Sequence, residues 1–215
     1  MKLFLVRHAE SKRNTHEKSS VDAELTDIGK EQARRCGSYF STIELTKVYC
    51  SPLKRARATF KPIHRQITCK NISYTKDIAE INLGEFGDGS IDNLSGFFKA
   101  AVNSGIPYHT FRPKKGESLQ DTYDRASKFY QKLLKNHSSK DTILIVGHGF
   151  FNLYLMLYAL GLDLFEGKYY KLSNASISTL YINAKGKVTK YTINDYNHLI
   201  AEGIKKAHAP SKTFK

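Results

Sequence analysis

Two short apolar segments, each followed within two residues by a histidine, constrain the fold of this chain more than any other feature. Leu3–Val6 leads into Arg7 and His8, and Thr142–Val146 leads into His148. Strands that are apolar on both faces are typical of parallel sheets covered by helices on both sides. In such sheets ligands bind at the carboxyl ends of the strands. A cation beside an imidazole at this edge indicates binding of an anion, with a phosphoryl group as the first candidate and a merely capped strand end as the alternative.

Strand and helix signals alternate along most of the chain. Thr26 and Ser118 are good N-caps for the helices that follow them, and Pro52 fits the first turn of another helix. A turn at 183–186 between two alternating segments predicts a hairpin. The predicted strands are 2–6, 47–50, 72–75, 142–146, 176–182 and 187–193, and the predicted helices are 27–40, 52–67, 94–103, 119–134 and 150–160. Together they predict an α/β fold, a three-layer α/β/α sandwich with a mainly parallel sheet and a C-terminal hairpin strand.

Length and composition predict a single domain over residues 1–215. A chain of 215 residues is long enough for one sizeable core, and no break in composition indicates a second domain. Glycines, prolines and aromatic residues without a clear period predict a loop-rich insertion at about 80–117 that covers the substrate. Residues from about 203 to 215 are predicted to form a basic tail.

The cysteines and the N-terminus predict a location in the cytoplasm. Cys36, Cys50 and Cys69 are odd in number and form no Cys-x-x-Cys pair, which favours free thiols in a reducing compartment over disulfides or a zinc site. The apolar run at the N-terminus is too short for the core of a signal peptide. The longest apolar stretch, 150–162, is too short to span a membrane and is predicted to be a buried helix.

The basic charge of the chain has more than one interpretation. Lys and Arg exceed Asp and Glu by 34 to 20, but the lysines are scattered rather than arranged in a stripe with aromatic residues. A solvated basic surface is the first interpretation, and attraction of an anionic substrate or partner is the second. Nucleic acid is not expected as the primary partner, and no membrane is expected. The apolar helix at 150–160 would serve a homodimer as well as a core.

Four side chains besides His8 indicate recognition of a phosphoryl group. Arg7 precedes it, Asn14 follows it closely, and His148 stands after the other apolar strand. Arg55 is predicted in the first turn of a helix, where backbone N–H groups already favour an anion. Arginine matches the non-bridging oxygens of a phosphoryl group with two parallel hydrogen bonds. These residues are therefore suited to bind one.

Six short motifs then occur along the chain in a fixed order. They are 7–14 (RHAESKRN), 25–33 (LTDIGKEQA), 51–59 (SPLKRARAT), 79–86 (AEINLGEF), 116–118 (GES) and 146–149 (VGHG). Each is weak by itself, but in this order they resemble the histidine phosphatase superfamily, also called the phosphoglycerate mutase-like family, and its phosphatase branch. The resemblance extends to about Tyr181 and implies a phosphoric monoester hydrolase.

The resemblance implies a reaction through a phosphohistidine. His8 is then the nucleophile and attacks phosphorus as a neutral imidazole. Positive charge on Arg7, Arg55 and His148 is expected to lower the pKa of His8 and keep the ring unprotonated. No metal and no cofactor are expected, because the arginines neutralise the phosphoryl charge and the sequence has no aspartate cluster of the kind that holds magnesium.

The same resemblance assigns the remaining site residues. Asn14 and the backbone N–H of Gly149 are expected to join the cations in binding the phosphoryl oxygens. Glu80 is the expected proton donor to the leaving oxygen and then the acceptor of a proton from water, with Glu85 and Asp77 as alternatives. The six other histidines have no motif around them and are predicted to lie at the surface.

Several positions on the substrate side depart from the family pattern. Residues 15–24 replace an Arg-x-Gln-Gly stretch, Arg13 stands where an aromatic residue is common, and Asp88 replaces a glycine after the acid. Ser11, Arg13 and Glu117 are predicted substrate contacts; exposed solvation is the alternative for Arg13, and a helix-terminal carboxylate is the alternative for Glu117. The substrates of better known members therefore do not transfer to this chain.

Three functions compete on this basis. The first is a metal-independent phosphomonoesterase acting on a small phosphorylated metabolite. The second is a cofactor-dependent phosphoglycerate mutase, which ranks lower because a mutase-like Thr-Gly-Trp stretch is absent and the chain contains no Trp. The third is a phosphoprotein (phosphohistidine) phosphatase or a partner-binding protein, which a shallow pocket over His8 would favour.

Overall fold

A six-stranded sheet forms the centre of the computed structural model, which describes residues 1–15, 22–87 and 92–200. Within these ranges the strands are β1 (Lys2–Arg7), β2 (Lys47–Cys50), β3 (Ile72–Tyr74), β4 (Thr142–Gly147), β5 (Ile177–Ile182) and β6 (Val188–Asp195). Their order in the sheet is β3-β2-β4-β1-β5-β6. The first four are parallel, whereas β5 runs antiparallel to β1 and β6 antiparallel to β5. The predicted sheet and its C-terminal hairpin are confirmed.

The helices begin at the caps that the sequence predicts, with one exception. Those described are α1 (Asp27–Phe40), α2 (Lys54–His64), α3 (Asp92–Ser104), α4 (Leu119–Asn136), α5 (Gly149–Ala159) and α6 (Asn197–Ile200). Thr26 caps α1 by accepting the N–H of Gly29, and Ser118 opens α4 in a capping box with Asp121. The prediction for Pro52 is wrong: α2 starts only at Lys54, because the backbone at the preceding residue is extended.

The apolar strands are buried because helices cover both faces of the sheet. In β1, Leu3 and Leu5 face the layer of α4 and α5, whereas Phe4 and Val6 face the layer of α1 and α2. All four side chains are at most 1% exposed, and burying one of them contributes about 1.5–3 kcal/mol. The alternation of side chains along a strand thus explains why both neighbours in the sequence are apolar.

Helix α5 forms from the long apolar stretch of the sequence at 150–162. Its residues 151–157 are all buried within this chain, so the helix belongs to the core, and a homodimer stays a prediction. None of the helices in the described ranges is long and apolar enough to cross a membrane. Cys36, Cys50 and Cys69 are buried free thiols, as the sequence predicts.

The predicted insertion at 80–117 contains a 3-10 turn (Gly84–Phe86), helix α3 and the loop that leads to α4. Its residues 88–91 lie outside the described residues, and so does the predicted basic tail at 203–215. The single-domain organisation and the role of the insertion as a substrate lid stay predictions. Of the six histidines predicted at the surface, His64 is exposed, and His16 and His208 lie outside the described residues. The prediction is wrong for the other three, which are partly buried: His109, His137 beside Tyr49, and His198 against Tyr39 and Cys36, where α6 packs on α1.

Candidate active site

The predicted site residues meet at one edge of the sheet, where three neighbouring parallel strands end. Arg7 at the end of β1 pairs in register with Gly147 at the end of β4, and Cys50 at the end of β2 pairs with Val146. Helices α2 and α5 follow β2 and β4 but cover opposite faces of the sheet. Their N-termini therefore diverge and leave a crevice at this edge, as is typical of open α/β sheets.

His8 lies in this crevice with a defined ring orientation. The side chain is 3% exposed, and its Nδ1 lies 2.8 Å from the carbonyl oxygen of Ala9. A carbonyl oxygen only accepts hydrogen bonds, so Nδ1 carries the proton and Nε2 keeps its lone pair. The backbone N–H of His8 donates to the carbonyl of Gly147, 2.9 Å away. The ring is thus presented with Nε2 as the available nucleophilic atom.

Burial and two arginines keep His8 neutral. The pKa of His8 lies well below its usual range, first because the ring is removed from water and then because Arg55 and Arg7 are close. The hydrogen bond to Ala9 opposes this shift, and the charge of Arg13 adds to it. Arg13 also donates to the carbonyl of Gly87, 3.2 Å away. The predicted role of the two arginines in lowering the pKa agrees with this geometry.

His148 is also neutral, which corrects one expectation from the sequence. Its ring is fully buried, its centroid lies 5.2 Å from that of His8, and its pKa lies well below the usual range because of burial and then Arg55. The prediction that positive charge on His148 keeps His8 unprotonated is therefore wrong. Burial and the same two arginines keep both imidazole rings in their neutral form.

The two arginines of the site are buried cations. Arg7 donates from Nη1 to the carbonyl oxygen of Leu172 at 2.5 Å, and its buried Nε has no hydrogen-bond partner among the described residues. Arg55 is the second residue of α2 and is 2% exposed. Burial lowers its pKa to about 10, so it remains charged at neutral pH. The carboxylate of Glu80 acts on both arginines as an opposite charge, and an anion in the crevice would add a second one.

Glu80 lies at the N-terminus of α5. Its carboxylate accepts the backbone N–H groups of Gly149 (3.0 Å), Phe150 (3.1 Å) and Phe151 (3.3 Å). Glu80 Oε2 and Arg7 Nε both lie 3.5 Å from the point where a Cβ of residue 149 would stand. The carboxylate thus borders the crevice. The N–H of Gly149 already donates to it, so a phosphoryl oxygen can take this amide only when the carboxylate moves away.

The two alternative acids lie elsewhere. Glu85 accepts the backbone N–H of Lys114 at 3.2 Å, and Asp77 forms an ion pair with Lys132 at 3.3 Å while both side chains are about half exposed. Neither contacts the N-terminus of α5 or the arginines of the site in the described residues. Of the three carboxylates that the sequence left open, Glu80 is the one that the fold brings to the crevice.

Asn14 is held through its amide oxygen. Its Oδ1 accepts from the backbone N–H of Ser11 (3.1 Å), from the hydroxyl of Ser11 (3.0 Å) and from Nδ2 of Asn174 (3.1 Å). The amide group of Asn14 is therefore left to donate to an anion. Ser11 is fully buried, so the structure places it behind Asn14 and corrects its prediction as a substrate contact.

Glu117 also has a different place from the predicted one. It forms a two-pronged ion pair with Arg125, at 3.0 and 3.1 Å, and accepts the backbone N–H of Asn82 at 2.9 Å. Arg125 in turn donates to the carbonyl oxygen of Ala79, next to Glu80, at 2.9 Å. Glu117 and Arg125 therefore hold the segment that carries the acid, and a contact of Glu117 with substrate stays a prediction.

Three further side chains support the site and escaped the reading of the sequence. Thr59 accepts the N–H of Ala9 at 2.9 Å and donates to the carbonyl of Arg55 at 2.7 Å, which ties the nucleophile loop to α2. Gln32 accepts the N–H of Glu10 at 2.8 Å. Thr59 lies in the motif at 51–59 and Gln32 in the motif at 25–33, so the sequence already contains a signal for both. Asn174, which donates to the carbonyl of His8 at 3.0 Å, lies in no such motif.

Comparison with known proteins identifies the family. The family model of the histidine phosphatase superfamily (branch 1) matches residues 3–195. The chain therefore belongs to the histidine phosphatase superfamily, and the enzyme class predicted from the sequence, a phosphoric monoester hydrolase, is confirmed. Among the described residues, no group of three or more His, Cys, Asp or Glu side chains is arranged to hold a metal ion.

Relatives cover nearly the whole chain. Phosphoserine phosphatase 1 of Hydrogenobacter thermophilus is 28% identical over 193 residues, which are 87% of this chain and 90% of the relative. The protein of Citrobacter koseri named "Probable phosphoglycerate mutase GpmB" is 28% identical over 216 residues, 95% of this chain and 97% of the relative.

Solved structures support the fold. YhfR of Bacillus stearothermophilus superposes with a TM-score of 0.79 at 25% identity, covering 92% of this chain and 98% of that one. The alpha-ribazole phosphatase of Shigella flexneri superposes with a TM-score of 0.75 at 22% identity, covering 91% and 96%. The predicted three-layer α/β fold is confirmed.

Proposed function

We propose that the protein is a metal-independent phosphomonoesterase that hydrolyses a small phosphorylated metabolite through a phosphohistidine. One observation carries this proposal. His8 lies beside the Arg7 and Arg55 guanidinium groups with its Nδ1 proton bound to Ala9, which leaves Nε2 unprotonated and available for attack. A neutral imidazole between two fixed cations is what nucleophilic attack on an anionic phosphoryl group requires.

The reaction has two displacements. In the first, Nε2 of His8 forms a bond to phosphorus while the bond to the leaving oxygen breaks, and Glu80 gives that oxygen a proton. In the second, water attacks phosphorus, Glu80 takes a proton from the water, and the nitrogen–phosphorus bond breaks to release inorganic phosphate. The location of Glu80 beside the Gly149 amide and Arg7 supports this role, since a general acid must lie within reach of the leaving group.

The arginines supply the charge that a metal supplies in other phosphatases. Arg7 and Arg55 are buried cations at the crevice, and Asn14, whose Oδ1 is already engaged, has its amide nitrogen left as a neutral donor. Donors that are already in place stabilise charge on the equatorial oxygens of the transition state without having to reorganise. We therefore expect full activity in the presence of a chelator.

A small substrate is favoured by the depth of the nucleophile. The His8 side chain is only 3% exposed, and the neighbouring His148 is fully buried. A phosphorylated side chain on a folded protein protrudes only a short distance, so a buried nucleophile suits a free metabolite better. The names of relatives, a phosphoserine phosphatase and an alpha-ribazole phosphatase, fit this class, and we expect a cytoplasmic enzyme because its three cysteines are free thiols.

The second candidate is a phosphoglycerate mutase. It is favoured by relatives named "Probable phosphoglycerate mutase GpmB", which match over nearly their whole length. A mutase must keep the phosphohistidine away from water and return the phosphoryl group to a second hydroxyl. Production of 2-phosphoglycerate from 3-phosphoglycerate, measured beside release of phosphate, separates the two activities.

The test is an assay of the purified protein against p-nitrophenyl phosphate and a panel of sugar, amino-acid and nucleotide monophosphates, with chelator present. We expect turnover by the wild type and none by His8→Ala, whereas His64→Ala, which changes an exposed histidine on α2, serves as the matched control. Rapid quenching should trap an acid-labile phosphoenzyme that the variant lacks. Turnover that survives His8→Ala, or that the chelator abolishes, would overturn the mechanism.

A further inference from the structure

A buried serine contacts the second histidine of the site. Ser51 follows β2 directly and is fully buried, and its Oγ lies 2.7 Å from Nε2 of His148. The backbone N–H of Leu53 donates to the same Oγ at 3.4 Å. Ser51 Oγ thus accepts one hydrogen bond from the main chain, and its own proton is left to donate to another group.

The direction of the contact between Ser51 and His148 follows from the available acceptors. Among the described residues, the hydroxyl of Ser51 has no acceptor other than Nε2 of His148. If the ring instead donated from Nε2, the hydroxyl proton would be left buried without a partner, which is costly. With the hydroxyl donating to Nε2, both the hydroxyl proton and the lone pair of Nε2 are paired.

The other ring nitrogen provides an independent observation. Nδ1 of His148 is buried and has no hydrogen-bond partner among the described residues. A neutral imidazole has one protonated nitrogen, so acceptance at Nε2 places the proton on Nδ1. An unpartnered N–H beside Arg55, Arg7 and His8 is suited to an anionic oxygen.

We propose that Ser51 is a positioning residue that fixes the tautomer of His148, so that Nδ1 of this neutral ring donates a hydrogen bond to the phosphoryl group. Donation at Nδ1 rests on the function proposed above, whereas the tautomer itself does not. The ring then stabilises the transition state as a dipole rather than as a third cation. An ionised His148 would place a further positive charge beside the neutral nucleophile. With its tautomer fixed by Ser51, the neutral ring carries its proton on Nδ1 and donates without being ionised.

The first test reads the tautomer without any turnover. In protein labelled with nitrogen-15 histidine, long-range proton–nitrogen correlations identify the protonated nitrogen of His148, assigned by its loss in His148→Gln. We expect the proton on Nδ1 in the wild type and in Ser51→Thr, which keeps a hydroxyl, and a mixed or Nε2-protonated ring in Ser51→Ala. A wild-type ring protonated at Nε2 would overturn the proposal.

The second test uses inorganic phosphate as the probe. Adding phosphate should shift the Nδ1 proton of His148 downfield in the wild type, because a hydrogen bond to an anion is short and strong. The same proton should be missing or unshifted in Ser51→Ala. If phosphate shifts His8 and leaves the Nδ1 proton of His148 unchanged, donation by His148 is wrong even though phosphate binds.

Kinetics separate this role from a structural one. We expect Ser51→Ala to lower kcat about 10- to 100-fold with little change in KM, less than the loss of a whole transition-state donor, and Ser51→Thr to recover most of the rate. Ser178→Ala removes a buried hydroxyl that contacts Asn194 far along the chain and serves as control. If the wild type has no phosphatase activity, the proposed function fails, while the tautomer measurement still decides the role of Ser51.

Discussion

The two sides of the crevice are held in place in different ways. On one side are Arg7, His8, Arg55 and His148, here called the clamp, which stand at the ends of parallel strands or in the first turn of the helix that follows one. On the other side is residues 79–87, here called the acid segment, which contains only a 3-10 turn. The clamp is placed by the path of the main chain, and the acid segment is placed by side chains from elsewhere.

The contacts of the two regions make this difference concrete. His8 and His148 are at most 3% exposed and are tied to the sheet through the carbonyl of Gly147 and the hydroxyl of Ser51. The acid segment depends on Arg125 of α4 and on the N-terminal amides of α5. The difference implies that the clamp keeps its geometry through the reaction, whereas Glu80 is free to shift when it exchanges a proton.

The largest expected effect comes from breaking the clamp at Arg55. Arg55→Ala should lower kcat about 10³- to 10⁵-fold, the range found when a catalytic arginine on a transferring phosphoryl group is lost. Arg57→Ala on the exposed side of the same helix should leave activity unchanged. Thermal unfolding of both variants checks that α2 still forms. A loss below tenfold for Arg55→Ala would show that this arginine does not bind the phosphoryl group.

A smaller effect is expected on the other side, from Glu80→Gln. This change keeps an acceptor for the amides of α5 but removes the proton, and should lower kcat about 10²- to 10⁴-fold. The loss should be larger for alkyl phosphates than for p-nitrophenyl phosphate, whose leaving group needs no proton. Glu85→Gln should leave both rates unchanged. Equal losses on the two substrates would contradict the role of Glu80 as an acid.

The support of the acid segment is expected to contribute less. Arg125→Met should lower kcat about tenfold, because the carbonyl of Ala79 and the carboxylate of Glu117 lose their partner and the backbone that carries Glu80 loses an anchor. Arg112→Met removes an exposed ion pair with Asp121 and is the matched control. Combined with Glu80→Gln, the effect of Arg125→Met should vanish, since residues that act as a unit are not additive. Full additivity would place Arg125 outside this function.

The smallest expected effect is on stability. It comes from the two histidines of the clamp and from one histidine of α6. Burial lowers the pKa of His8, of His148 and of His198, the last to about 4. Because the unfolded chain binds these protons near pH 6.5 and the folded chain does not, stability falls as the pH drops below that value. Each histidine contributes up to about 1.4 kcal/mol per pH unit.

Urea unfolding between pH 7.5 and pH 5 measures this dependence. His198→Asn should reduce the slope of stability against pH without affecting turnover, because His198 lies on the α1 side of the fold and contacts Cys36. A stability that stays constant over this range would mean that the three rings are protonated in the folded protein.

Local signals were enough for most of the fold. Apolar strands, the N-caps at Thr26 and Ser118 and the turn at 183–186 each depend on neighbours in the sequence, and the structure has the corresponding elements. The helix start predicted at Pro52 is wrong, because a proline with φ near −65° suits an extended turn as well as a helix start. His198 misled because its burial depends on where α6 meets α1, which no local pattern encodes.

The sequence by itself determined the family, the succession of strands and helices along the chain, and the residues of the clamp. Strand ends and helix starts are local features, and the motifs mark them. The tertiary structure alone decided that His148 is neutral, that Glu80 rather than Glu85 or Asp77 borders the crevice, and that Glu117 pairs with Arg125. Charge state and hydrogen-bond partners depend on burial and on distances between segments far apart in the chain. Those quantities exist only once the chain has folded.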